Sequence, residues 1–256
     1  MTDKEMVKNK EVHLDWRGLL YSRYVSTGQA RSNKQSRPVL EPKDFIYINR
    51  VLKKFMPKDR NARILDLGCG HGPLLRCIKE WGYNNIQGID VSEEQVELAH
   101  HYGISEVQLG SIFDLSAIPS KSVDLVFLMD VLEHLQRQEL FDLLSDIREK
   151  MTNDGLMVIH VPNACGVFGN AIRFADLTHE LSFTPSSLSQ CMGACGFCNL
   201  KFFEDKPIPH GLLSFARRIL WDLFTIPFRI LYAAEVGVFP AALSQNMLAT
   251  ASPKIE

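Results

Sequence analysis

Apolar residues alternate along this chain between short continuous runs and longer stretches in which they recur every three or four positions. The runs Ile64–Leu67, Asn85–Asp90, Glu106–Gly110, Val123–Met129 and Leu156–Val161 read as strands, each closed by glycine, proline or polar residues. Val123–Met129 is apolar on both faces apart from Asp124, as a central parallel strand requires. Helical spacing fills the intervals. Phe45, Ile46, Ile48, Val51, Leu52 and Phe55 predict a helix before the first strand. Pro73–Ile78 predicts one after it, and Ser92-Glu93-Glu94-Gln95 reads as a capping box opening a third. Leu140, Phe141, Leu143, Leu144, Ile147 and Met151 mark a long amphipathic helix that Asp154-Gly155 should stop, and Thr184-Pro185 predicts the cap and first residue of another. Strands alternating with helices in this way specify an α/β fold, a mostly parallel sheet with helices on both faces.

The first run ends in Asp66-Leu67-Gly68-Cys69-Gly70-His71-Gly72. A strand, a glycine-rich turn and a helix form the place where open α/β sheets bind ligands, because backbone without Cβ atoms can approach the ligand closely. A dinucleotide fingerprint would have its third glycine at position 73, which is Pro73, so the nicotinamide reading fails at its defining residue. Asp90 ends the second strand about 20 residues beyond the turn, the distance at which such folds present a carboxylate to a ribose diol.

At 256 residues and 46% hydrophobic, the chain fits one domain over residues 43–256, with a basic arm over 1–42. The net charge of -2 conceals an asymmetry: residues 1–63 carry 15 Lys+Arg against 7 Asp+Glu, and the rest carry 13 against 23. A basic entry segment suits an anionic acceptor or a solvated arm. No basic run with interleaved aromatics points to nucleic acid as the main ligand. Met1–Glu11 lacks the apolar core of a signal peptide, and the six cysteines read as reduced thiols of a cytoplasmic protein. Cys191, Cys195 and Cys198 match an iron–sulfur spacing, but a helix starting at Thr184-Pro185 makes them small buried hydrophobes instead.

Glycines Gly68, Gly70 and Gly72 followed by Asp90, "DVLEHL" at Asp130–Leu135 and "NDGLMVIHVPN" at Asn153–Asn163 resemble class I S-adenosylmethionine (SAM) methyltransferases in order and spacing, over roughly residues 45–205. The resemblance implies a Rossmann-like seven-stranded sheet whose last strand is antiparallel, with Cys198–Glu204 as strand six and Asn246–Ala251 as strand seven. It implies a SAM site formed by Asp66, Gly68, Cys69, Gly70, Asp90, Val91, Ser111, Ile112 and Met129. Related enzymes commonly carry an acid where this chain has Ser111; either Ser111 or Asp114 would meet the adenine, with Ile112 as its apolar shelf.

Asp130, Glu133 and His134 fall at i, i+3 and i+4, on one helical face at the carboxyl end of strand four. With His179 they could hold a divalent ion, Mg or Mn, as in the small-RNA and ubiquinone-pathway O-methyltransferases that this segment resembles. His134 or His179 acting alone as general base is the other reading, with Asp130 alongside. Arg173 and Asp176 could orient a sugar or phosphate. The expected reaction is methyl transfer from SAM to a hydroxyl of a sugar or small molecule; C- or N-methylation and a non-catalytic SAM-binding partner protein are the alternatives. "DLTHELSFT", "GF" and "PIPHG" resemble bacterial methyltransferases of surface-polysaccharide gene clusters, which implies a sugar acceptor on a nucleotide or lipid carrier. The segment 212–232, within an insertion at about 206–243, is strongly apolar yet interrupted by Asp222 and Arg229. That pattern argues against a transmembrane helix and for a lid, a homodimer surface or a peripheral contact with the inner membrane face. Pro227 should kink it.

Overall fold

The computed structural model describes residues 16–21, 23 and 42–255. Seven strands form its centre: β1 (Ile64–Leu67), β2 (Ile86–Asp90), β3 (Val107–Leu109), β4 (Val123–Met129), β5 (Met151–Pro162), β6 (Phe197–Glu204) and β7 (Asn246–Pro253). They lie in the order β3-β2-β1-β4-β5-β7-β6. Strands β1 to β5 pair in parallel, and β7 runs antiparallel to both β5 and β6. This is the Rossmann-like seven-stranded sheet that the resemblance implies, and β1 to β5 are the parallel part that the alternating pattern predicts. Its order reverses direction between β1 and β4, which opens a crevice at their carboxyl ends.

The helices are α1 (Trp16–Tyr21), α2 (Pro42–Tyr47), α3 (Pro73–Glu80), α4 (Glu93–His101), α5 (Arg137–Lys150), α6 (Gly169–Arg173), α7 (Pro185–Ala194), α8 (Leu212–Phe224) and α9 (Ile226–Val236). Successive strand residues point to opposite faces, so each strand feeds two cores. Leu65, Leu67, Val126, Leu128, Ile159 and Val161 join the side chains of α5 and α7. Ile64, Leu125, Phe127 and Val158 join those of α3 and α4. Phe127 is wholly buried, and its truncation to alanine would cost about 3–5 kcal/mol.

Several local expectations change. The helix over residues 43–55 is α2, then one wide turn at Ile48–Leu52 and one tight turn at Lys53–Phe55. The long helix ends at Lys150, and Met151 already pairs with Val123, so β5 starts five residues before the expected run. Gly155 lies inside β5; a Cβ there would come within 3.0 Å of the Thr152 carbonyl and 3.2 Å of the Val123 carbonyl. Its place is strand packing, not helix termination. The capping box at Ser92 does not form, because Ser92 Oγ is buried without a partner. Thr184 does cap α7, accepting from Ser187 N at 3.0 Å. All six cysteines are free thiols. At Thr225 the apolar insertion breaks into two helices, with Pro227 in the first turn of α9, where its missing N–H costs nothing. Among the described residues, no helix is long and apolar enough to cross a membrane.

Candidate active site

The glycine turn after β1 is bound to the end of β2. Gly68 N donates to Ile89 O at 2.8 Å, and Gly70 N donates to Asp90 Oδ2 at 2.7 Å. Gly68, Gly70 and Gly72 all have positive φ (70°, 54° and 77°), and a Cβ on Gly68 would lie 2.6 Å from Val131 Cγ2. Glycine is therefore required by both dihedral and space. Asp90 Oδ1 accepts from Ser92 N at 2.9 Å, so two backbone bonds aim the carboxylate. Burial raises its pKa against those bonds.

Asp66, behind the turn, is fully buried, and burial with the Asp90 charge pushes it up to about 8. It is therefore mostly protonated at neutrality. Its Oδ1 lacks a hydrogen-bond partner within the protein. An unpaired buried carboxyl oxygen beside exposed turn backbone fits a polar ligand that supplies the missing bond. Asp66, Gly68, Gly70 and Asp90 thus suit a group with an amino-acid end and a ribose, as the sequence implies.

The remaining residues expected around that group divide. Cys69 turns its thiol into the core, leaving only its backbone toward the turn. Val91 is exposed next to Asp90. Met129 and Ile112 are partly buried against the two cores. Ser111 Oγ accepts from Phe113 N at 3.2 Å. Asp114 Oδ1 accepts from Ser116 Oγ and N at 2.6 and 3.3 Å, so both adenine candidates bond within their own turns.

At the end of β4 the geometry departs from the expected single face. Asp130 has φ 56°, a left-handed conformation that aspartate tolerates, and its Oδ1 meets His160 Nδ1 at 2.6 Å. His160 Nε2 meets Asp205 Oδ2 at 3.3 Å. Burial opposes charge on His160, yet the two carboxylates hold its pKa well above the ordinary histidine value. The Tyr47 ring packs edge-on against the imidazole at 5.9 Å; burial, with Asp205 and Asp130, raises its phenol pKa strongly. The sequence reading missed Tyr47, His160 and Asp205. The available signal was His160, the one polar residue in Val158–Val161.

Glu133, His134 and His179 do come together, with one ligand atom from each within 4.8 Å of the others. Asp130 is not in this group, because β5 holds it through His160; the expected four-residue ligand set reduces to three. The tight turn Leu132–His134 replaces the regular helical turn that would have aligned Asp130, Glu133 and His134.

Hydrogen bonding fixes both rings. Thr178 Oγ1 donates to Asp176 Oδ1 at 2.7 Å, so at its 2.8 Å contact with His134 Nδ1 it must accept. His179 Nδ1 donates to Ile172 O at 3.0 Å. Each imidazole therefore carries its proton on Nδ1 and leaves Nε2 with a lone pair. Burial and the adjacent His179 push His134 down to about 4, so it is neutral at pH 7. Glu133 is buried, its Oε2 has no partner, and burial with the Asp130 charge raises its pKa well above the usual value. Two imidazoles and a carboxyl group brought together in this way suit a divalent cation or a proton acceptor.

Neighbouring segments hold this cluster rather than face a ligand. Arg173 bonds the carbonyls of His179 and Glu180, the latter at 2.8 Å, and Asp176 is buried on Thr178. Both expected acceptor contacts are therefore internal braces. From α1, Arg17 bonds Glu139 and the His134 carbonyl at 3.0 Å, and Tyr21 packs edge-on to the His134 ring at 6.4 Å.

A family model described as a methyltransferase domain matches residues 43–201. The chain is 38% identical over 79 residues to a ubiquinone biosynthesis O-methyltransferase of Xanthomonas oryzae pv. oryzae; the match covers 29% of this chain and 33% of that relative. It thus spans about a third of the relative's length. In fold, the chain is similar to a SAM-dependent methyltransferase from Archaeoglobus fulgidus, with a TM-score of 0.63 at 22% identity, covering 90% of this chain and 98% of that one. It is also similar to phosphoethanolamine N-methyltransferase 2 of Haemonchus contortus in complex with SAM, with a TM-score of 0.59 at 16% identity, covering 94% and 57% of the two chains.

Proposed function

The chain belongs to the methyltransferase-domain family, and from that premise we propose that it transfers the methyl group of SAM to a hydroxyl of a sugar or other small-molecule acceptor. The observation that carries this reading is the cluster of Glu133, His134 and His179, which follows the carboxyl end of β4 as the glycine turn follows that of β1 and Asp90 ends β2. SAM supplies an electrophilic methyl group on a sulfonium. Asp90 would take the ribose hydroxyls, and Asp66 with the Gly68–Gly70 backbone the amino-acid end.

A hydroxyl needs help to react, because its pKa lies far above neutrality. As that oxygen took the methyl group that SAM would supply, its proton would go to Nε2 of His134 or His179. The Nδ1 bonds to Thr178 and Ile172 keep the rings oriented for that transfer. Glu133, His134 and His179 would hold Mg or Mn if the enzyme uses one, and that ion would supply Lewis acidity toward the acceptor oxygen. Asp130, fixed by His160 and exposed at the crevice, would orient the acceptor. Likeness to a relative named as an O-methyltransferase supports the hydroxyl; a nitrogen acceptor is the second reading, favoured by the likeness in fold to a chain named as an N-methyltransferase.

Calorimetry with SAM, followed by turnover to S-adenosylhomocysteine on sugar and phenol acceptors, tests the reading. His134→Ala and His179→Ala should each keep SAM binding and lose about 10²–10⁴-fold in turnover. Unchanged turnover in both would sink the assignment. If a metal takes part, EDTA should abolish turnover and added Mn²⁺ or Mg²⁺ restore it; turnover indifferent to both leaves the histidines as bases alone.

A further inference from the structure

The two histidines of the cluster lie on different segments, and their spacing is set by whatever joins those segments. His134 ends the tight turn before α5, and His179 lies in the loop between α6 and α7. Backbone bonds make one tie: Glu180 N and Leu181 N donate to the Glu133 carbonyl at 2.7 and 2.9 Å. A second tie comes from outside both segments. The guanidinium of Arg17, on α1, donates to both carboxylate oxygens of Glu139 at 3.0 Å and to the His134 carbonyl at 3.0 Å, and it pairs with Glu180 at 3.6 Å. Its partners are thus the residue that carries one imidazole, the residue after the other, and the α5 side chain that accepts from Gln136 N at 2.6 Å.

A planar fork with donors in fixed directions can hold three such groups at once, which the point charge of a lysine does not. Bonds to charged groups are also the stronger kind. The Arg17 side chain is 15% exposed, so water screens these bonds little.

α1 has six residues, too few to be stable in water by itself. The bonds of Arg17 and the ring of Tyr21 hold it on the cluster. Tyr21 comes one helical turn after Arg17 and so on the same side of α1. Its ring stands edge-on to His134 at 6.4 Å, and His134 stands edge-on to His179 at 4.7 Å. Burial pushes the Tyr21 phenol up to about 12, so the ring against His134 is neutral. Trp16 and Leu19 take the outward side, about half exposed. The stretch that matches the methyltransferase-domain model starts at residue 43, so α1 is an addition to the matched domain.

We propose that α1 completes the acceptor site: Arg17 is a positioning residue that fixes the spacing of His134 and His179, and Tyr21 shields the pair from water. That spacing matters for turnover only where the methyl-transfer reading holds; the brace itself does not depend on it.

Carbethoxylation of the full chain with diethylpyrocarbonate at neutral pH, read residue by residue by mass spectrometry, tests the brace without an acceptor. Exposed His101 calibrates the reagent, and His160, buried in β5, reports opening of the whole sheet. Loss of a charged hydrogen bond shifts a local opening about tenfold, so Arg17→Ala should label His134 and His179 about tenfold faster, with His160 and the SAM heat unchanged. Tyr21→Ala should do the same at His134, and it carries the test if Arg17→Ala does not fold. On an acceptor that turns over, Arg17→Ala should lower kcat by about 10²-fold and leave KM for SAM in place. Labelling of His134 and His179 at the wild-type rate in both variants overturns the proposal. So does a rise that His160 shares, which would make Arg17 a support of the fold at large. Wild type without SAM heat but with the labelling contrast removes the methyl-transfer reading and keeps the brace; SAM heat and turnover without the contrast do the reverse.

Discussion

Asp90 and His160 are both buried polar residues at strand ends, yet only one could be read from the sequence. Asp90 lies 20 residues from its partner Gly70, within one strand–turn–helix–strand unit whose spacing is fixed by local geometry. His160 takes partners 30 and 45 residues away, at the ends of other strands, and no local spacing encodes that. The turn glycines give the sharpest test at this scale. Gly68→Ala adds a methyl at φ 70° against Val131 Cγ2 and should cost about 1–3 kcal/mol in urea unfolding, with weaker SAM heat. Val131→Ala in the same chain should return the steric part of that loss; no recovery would mean that the dihedral alone matters.

Elements were legible where a burial period runs long and obscure where backbone geometry changes within it. The cores of β1, β2 and β4 lie where the apolar runs place them, because both faces are covered and the runs have no other solution. The start of β5 was hidden because Thr152, Asn153 and Asp154 are polar and lie in the irregular stretch between the Met151–Val123 and Leu156–Leu125 pairs. The two helix caps make a matched comparison. Thr184→Ala removes a bonded cap and should cost about 1 kcal/mol. Ser92→Ala removes a buried hydroxyl that bonds nothing and should be neutral or stabilising. Equal losses in parallel denaturation curves would contradict the structures of both caps.

For the whole molecule, two neighbouring polar centres form where the strands end: Asp130, His160, Asp205 and Tyr47 in one, and Glu133, His134 and His179 in the other. The first ties the ends of β4, β5 and β6 together through one charged imidazole. Because His160 has its pKa raised by Asp130 and Asp205 in spite of burial, its stabilisation is complete below the unfolded value of about 6.5 and is lost as pH rises through the native value. The stability gap between wild type and His160→Gln should therefore be widest near about pH 6 and narrow toward alkaline pH, read from urea midpoints. A gap that is flat across that range would show that the imidazole is neutral in the folded chain.

β7 closes the sheet from within, between β5 and β6, although it is the last strand made. On the ribosome, β6 therefore emerges with no neighbour to receive it, and the apolar α8–α9 segment follows before Asn246 is translated. During that interval the nascent chain presents an unpaired strand edge and an uncovered apolar segment together, a combination that chaperones bind and proteases cut.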